Sequence, residues 1–221
     1  MGLIIRPVET SLLWQVFFKE PQLELSREEN RLSLITKLLK SFDLRLNDLK
    51  FNQLTPSNNF IHFFKLYGQT FLDVSFGLEE ISAILRAPQN EEQVLDLLNR
   101  LFQVIKERPV SEQKFSIRMQ CATEGGNITT FFQTLSRPVG PRRFRGVLRG
   151  KGFIYDLTFP EYGLIISVVI ANSLVVDGGL YLHIEYLFSP NQYDFENAFG
   201  IITNRLDFIT KGLNIQLKLE T

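Results

Sequence analysis

GQTFLDVSFGLEEISAILRAPQNEEQVLDLLNRLFQVIKERPVSEQKFSIRMQC, residues 68–121, is the stretch whose reading decides the fold. In its first run Leu72, Val74 and Phe76 alternate with Asp73 and Ser75, the period of a strand with one face buried and one wet. A second strand-like run, LEEISAILR, ends at Pro88, and the period then changes. Val94, Leu97, Leu98, Leu101 and Ile105 recur at helical spacing, behind a capping pattern of Asn90 and Gln93. Glu91 and Glu92 fall in the first turn and Lys106 and Arg108 at the end, as the helix dipole favours. Alternation returns in KFSIRMQC, where Phe115, Ile117, Met119 and Cys121 form a core face and Ser116, Arg118 and Gln120 a wet one. The order is strand, strand, helix, strand.

Upstream, residues 12–18 (LLWQVFF) read as a buried strand bounded by Pro7 and Pro21. Ser26 and Glu29 form a capping-box pattern ahead of Leu32, Ile35, Leu39 and Phe42, which predicts a helix over about 27–42. Residues 43–59 end in TPSNN and carry loop chemistry. From Phe60 a further strand joins the next two through Gly68 and Gly77, predicting an antiparallel meander.

Downstream, EGGN (124–127) is a turn, and ITTFFQTL fits a strand or a short helix equally. The Pro-, Gly- and Arg-rich SRPVGPRRFRGVLRGKG follows as a junction. Strands are predicted near 153–159, 164–171 and 180–188, with a turn at Asp177, Gly178 and Gly179. Ser189 and Pro190 then open a third main helix whose stripe is Phe195, Ala198, Phe199, Ile202, Leu206 and Ile209, closed by Lys211 and Gly212. Leu213, Ile215, Leu217 and Leu219 alternate in a last strand.

These elements predict an α+β protein of mostly antiparallel sheet with three main helices. The strand-strand-helix-strand order occurs twice, so a duplicated unit and a coincidence of common local order both stay open. The junction divides the chain into halves at 1–136 and 137–221, which are two domains or one continuous domain. A long helix laid on one face of the sheet leaves the opposite face for a ligand, a partner or the other half.

Composition narrows the class. The 221 residues are 44% hydrophobic and 22% charged, an ordinary globular balance. Phe contributes 20 aromatic side chains against six Tyr and one Trp, which predicts a generous core. The 24 basic and 24 acidic residues cancel, so any attraction to an anionic surface must be local. Cys121 is the single cysteine, which excludes an intramolecular disulfide and a thiolate zinc site and suits a reducing cytoplasm. No secretion or lipidation pattern opens the sequence, and the longest apolar run, GLIISVVIA, has about half the length of a membrane-spanning helix.

Chemical motifs are scarce. His183 and Glu185, two apart in YLHIEY with Tyr181, share a strand face and suggest an acid/base pair, but no nucleophile or third ligand accompanies them. The plainer reading is a polar outer face. His62, alone in a Phe-rich run, reads as a structural histidine. Carboxylate doublets sit mostly in first turns of helices, and no phosphate loop, dinucleotide fingerprint or nucleophile elbow is present. No cofactor and no metal ligand set is expected.

Charge gives the one positive signal. Arg137, Arg142, Arg143, Arg145, Arg149 and Lys151 stand in a stretch without a single acid between Glu124 and Asp156. Three readings stay open for it: phosphates of nucleic acid or a nucleotide, an acidic protein partner, or a solvated hairpin. The functional expectation is a non-enzymatic cytoplasmic protein that binds and assembles through protein–protein contacts. Nucleic-acid or nucleotide-phosphate binding through residues 137–151 is the alternative.

Overall fold

The computed structural model describes residues 2–51, 61–135, 152–159, 164–188 and 195–218; within these, the side chains of residues 50, 51, 159 and 195–199 lie outside the description. Two 16-residue strands, β1 (Leu3–Phe18) and β6 (Val110–Gly125), pair antiparallel along most of their lengths at the centre of a ten-stranded sheet. On the β1 side follow β5 (Glu80–Arg86), β4 (Thr70–Phe76), β3 (Ile61–Tyr67) and β2 (Leu49–Phe51). Beyond β6 lie β9 (Leu180–Phe188), β8 (Leu164–Asn172) and β7 (Gly152–Phe159). Every one of these pairings is antiparallel; only the short β10 (Ile215–Leu217) runs parallel, beside Leu3, Ile4 and Ile5 of β1.

The expected α+β class is the observed one. The meander, the central helix and the alternating strand after it fall where residues 68–121 place them. Among the described residues the three main helices are α1 (Glu28–Phe42), α2 (Glu91–Ile105) and α4 (Phe195–Gly212), with a short α3 (Ile128–Leu135) between the last two. The ambiguous ITTFFQTL is α3, resolved by tertiary contact, since its buried Phe132 stacks on Phe153 of β7 at 5.9 Å.

β1 begins nine residues before the predicted strand. Pro7, which lacks an N–H, sits at a bulge where pairing steps from Pro7↔Cys121 to Glu9↔Gln120, so the extra residue Val8 interrupts the alternation that periodicity needs. The Ser26 capping pattern is corrected as well. The Ser26 hydroxyl donates to the Leu23 carbonyl and closes a short 3-10 turn, while Arg27 occupies the cap position of α1 without a side-chain bond. Asn90 does cap α2, its side chain accepting from the Gln93 N–H at 2.8 Å. At the end of α4 the left-handed residue is Asn214, with φ of 57°, and not Gly212. Ser189 and Pro190 lie outside the described residues.

All three long helices pack on one face of the sheet. Register fixes that face: Trp14, Ala83, Leu85, Val74, Phe115, Ile184, Tyr186 and Val168 are all essentially buried and join the helices in one core. Phe42 of α1 meets Phe63 of β3 at 5.5 Å, Thr70 of β4 donates to Gln93 of α2, and the Tyr186 hydroxyl on β9 donates to the Ile202 carbonyl of α4. The C-terminus of α1 is anchored on the same side. Its orphan Phe42 carbonyl accepts from the Tyr67 hydroxyl at 2.7 Å and from Lys65 at 3.3 Å, which satisfies the end of the helix dipole with a donor and a cation. Burial, the leading cause, raises the Tyr67 phenol to about 12, so it stays a donor at any ordinary pH.

Candidate functional site

Strands point alternate residues to opposite faces, so a sheet that buries one set toward helices presents the other set elsewhere. The described helices cover only the first face. The residues of the second form rows across the strands. One row runs Asp156, Ser167, Glu185, Ser116, Leu13, Ile84, Asp73, Phe64; the next runs Ile154, Val169, His183, Arg118, Ser11, Arg86, Phe71, Leu66. Leu66, Ile154 and Ile165 keep 62%, 70% and 42% of their surface in contact with solvent. The charges are of both signs: Arg86, Lys114 and Arg118 against Glu9, Asp73, Asp156 and Glu185.

The histidines settle into this face. His183 Nε2 lies 2.5 Å from Ser116 Oγ, and next to them Lys114 Nζ pairs with Glu185 Oε2 at 2.9 Å. A serine–histidine contact is the first half of a nucleophile–base pair. Here the serine is fully buried and Glu185 is engaged by Lys114, so among the described residues neither an accessible nucleophile nor a carboxylate orienting the imidazole is in place at this contact. Burial pushes the His183 pKa down, with Arg118 adding to the effect, which favours the neutral ring. The contact satisfies a buried hydroxyl that would otherwise be costly. His62 meets a half-buried carboxylate at the far side, its Nε2 2.5 Å from Asp73 Oδ1. The sequence reading of His183 as a polar-face residue missed its partner Ser116, which lies 67 residues away and carries no motif.

Cys121 lies on the core face, fully buried, and burial raises its thiol to about 12, so it is not a ready thiolate. Among the described residues no three His, Cys, Asp or Glu side chains gather as a metal set. No described helix is long and apolar enough to cross a membrane.

At one end the uncovered face deepens into a groove of about 1440 Å³. Its lining comes from Val8 to Ser11 of β1, Arg86 at the end of β5 with Ala87 to Gln89 after it, Arg118 and Gln120 of β6, and the β8–β9 connection with Tyr181, together with Gln69, Ile128 and Gly152. Ala87, with φ of 49°, turns the chain sharply off β5 while its N–H donates to the Thr10 carbonyl, and Arg86 is thereby left as the last strand residue at the groove wall. Ser173 braces the opposite wall: its hydroxyl donates to Gln120 Oε1 at 2.7 Å and accepts from the Val175 and Val176 N–H groups. Gly179 is required there, because a Cβ would come within 2.5 Å of the Cys121 carbonyl. Nothing in the sequence joins these segments; their meeting depends on the β1–β6 and β6–β9 registers.

The basic residues singled out by charge, Arg137, Arg142, Arg143, Arg145, Arg149 and Lys151, lie outside the described residues, as does the junction at 136/137. No protein-family model and no curated protein matches the chain.

Proposed function

We propose that this is a non-enzymatic cytoplasmic binding or assembly protein that engages a protein partner through the uncovered face of its sheet. One observation carries the reading: the described helices cover only one side of the sheet, and the other side offers exposed Leu66, Ile154 and Ile165 among charges of both signs. Such a mixture is that of an ordinary protein interface, apolar anchors within a polar surround. A phosphate backbone would instead favour a surface of one sign. The chemistry of the face points the same way, since its one serine–histidine contact has a buried hydroxyl. The strand order outward from β1, through β5, β4 and β3, resembles that outward from β6, through β9, β8 and β7. A duplicated strand-strand-helix-strand unit, β4, β5, α2 and β6 in one copy and β8, β9, α4 and β10 in the other, is part of this proposal.

Replacing Leu66 and Ile165 by Lys tests it. Both side chains are exposed, so the melting temperature should hold, while a partner that co-purifies from the native cell at physiological salt should disappear. Retention of that partner by the double variant contradicts the reading.

The alternative rests on the acid-free segment and belongs to nucleic acid or a nucleotide phosphate. Arg142, Arg143 and Arg145, replaced together by Gln, should then reduce retention on a phosphate-bearing matrix. For nucleic acid, the slope of log affinity against log salt should fall by about one unit for each phosphate no longer neutralised. Release of a protein partner at low salt, with no change on the matrix, assigns the segment to protein contacts instead.

A further inference from the structure

The end groove on the uncovered face carries two guanidinium groups in one row. Ser11 of β1 pairs with Arg86 of β5 on one side and with Arg118 of β6 on the other. The two arginines therefore face the same way on strands flanking a common neighbour, about 9.6 Å apart at two interstrand spacings. Both are exposed. Elsewhere cations of this protein meet carboxylates: Arg6 with Glu124, Lys114 with Glu185, Arg100 with Asp96. Among the described residues neither Arg86 nor Arg118 has such a partner, and Arg86 only lies 5.5 Å over the Phe71 ring.

We infer that Arg86 and Arg118 form a two-pronged receptor for an acidic segment of a protein partner, taking two of its carboxylates on either side of Ser11. This deepens the proposed reading of the uncovered face and rests on it. The groove selects the ligand by three features. Guanidinium groups bind carboxylates through paired N–H donors, and that geometry is retained when the arginine moves on its flexible stem. Side chains two apart on an extended peptide are about 6.8 Å apart, a separation that two arginine stems reach from about 9.6 Å. The remaining lining then decides between an acidic peptide and a polyanion. Glu9 and Asp177 share the groove and balance the two arginines, which favours two discrete carboxylates seated on the guanidinium groups over a continuous run of phosphates, while Val8 and Leu174, 51% and 99% exposed, add apolar surface to its lining. The occupant is an extended segment with two acids two residues apart.

Nuclear magnetic resonance on the full chain, observing the arginine side-chain Nε–H signals, tests this with four probes: the pentapeptide acetyl-Leu-Glu-Leu-Glu-Leu-amide, its counterpart with Gln for both Glu, inorganic phosphate and an oligothymidylate. The acidic peptide should move the Arg86 and Arg118 signals and bind at least about tenfold more tightly than the Gln peptide, the effect of losing charge-assisted bonds. In the variant Arg86→Gln with Arg118→Gln that preference should vanish with the melting temperature unchanged. The inference is overturned if the acidic peptide moves neither signal, if the Gln peptide binds as well, or if phosphate or the oligothymidylate binds more tightly than the acidic peptide. The Leu66 and Ile165 variant keeps the two readings apart. Disappearance of the partner in that variant with no peptide effect removes the arginine receptor alone, and peptide binding with the partner retained removes the sheet-face reading alone.

Discussion

The two faces of the sheet are written by the same strands and obey different physics. Along β6, Phe115, Ile117, Met119 and Cys121 enter a core in which Phe115 meets Phe188 edge-on at 5.9 Å and Trp14 at 6.3 Å. One residue out of step, Lys114, Ser116, Arg118 and Gln120 present an ammonium, a buried hydroxyl, an exposed guanidinium and an amide held by Ser173. The covered face gains from area removed from water, which is non-directional and large per residue. The uncovered face gains little from any one interaction, so its residue choices are open to binding.

That contrast sets the sizes of the expected effects. Phe115→Ala should be the most damaging, costing about 3–5 kcal/mol of stability as a fully buried aromatic is removed. Urea unfolding that shows a loss under about 1 kcal/mol would mean the covered face is not a packed core. On the other face Ser116→Ala, which removes the partner of His183 from a buried site, should cost about 1 kcal/mol. A loss as large as that of Phe115 would break the division between the faces.

The pH dependence sharpens the comparison further. The His183 pKa is depressed in the folded protein, chiefly by burial and next by Arg118, and nearby Glu185 opposes while Lys114 assists. The unfolded chain therefore binds a proton more readily. The contribution is present above the unfolded value of about 6.5 and is lost as pH falls from there through the folded value. His183→Gln should flatten stability against pH between neutrality and mild acid relative to the parent. Parallel curves would show that the imidazole is not held neutral by the fold.

The smallest effect belongs to Lys114→Gln, which breaks a pair with Glu185 that is open to water at both ends. It should change stability by under about 0.5 kcal/mol, measured by the same urea titration.

How much of this was legible in the sequence follows from the same division. Alternation and helical spacing are local, so α2, the β3–β5 meander and the core face of β6 could be read directly. The first half of β1 could not, because the bulge at Val8 breaks the period, and α3 could not, because eight residues fit either element until Phe132 finds Phe153. That helices on one face leave the other for a ligand, a partner or the other half follows from periodicity, but the contents of that face do not. Ser116 meets His183, and Arg86 flanks Arg118, only through strand registers joining residues far apart in the chain. Composition drew attention to residues 137–151 because a charge run is visible without a fold, whereas two arginines in one row are visible only with it.

The most direct test of the central claim is site-specific photo-crosslinking in the native cell. A photoreactive side chain is placed in turn at Ser82, Val169 and Leu187 on the uncovered face and at Leu32, Lys37 and Asp207 on the outer surfaces of the helices. The account predicts one common protein adduct from the three sheet positions and none from the helix positions. Adducts from the helix positions alone, with the sheet positions silent, would contradict it.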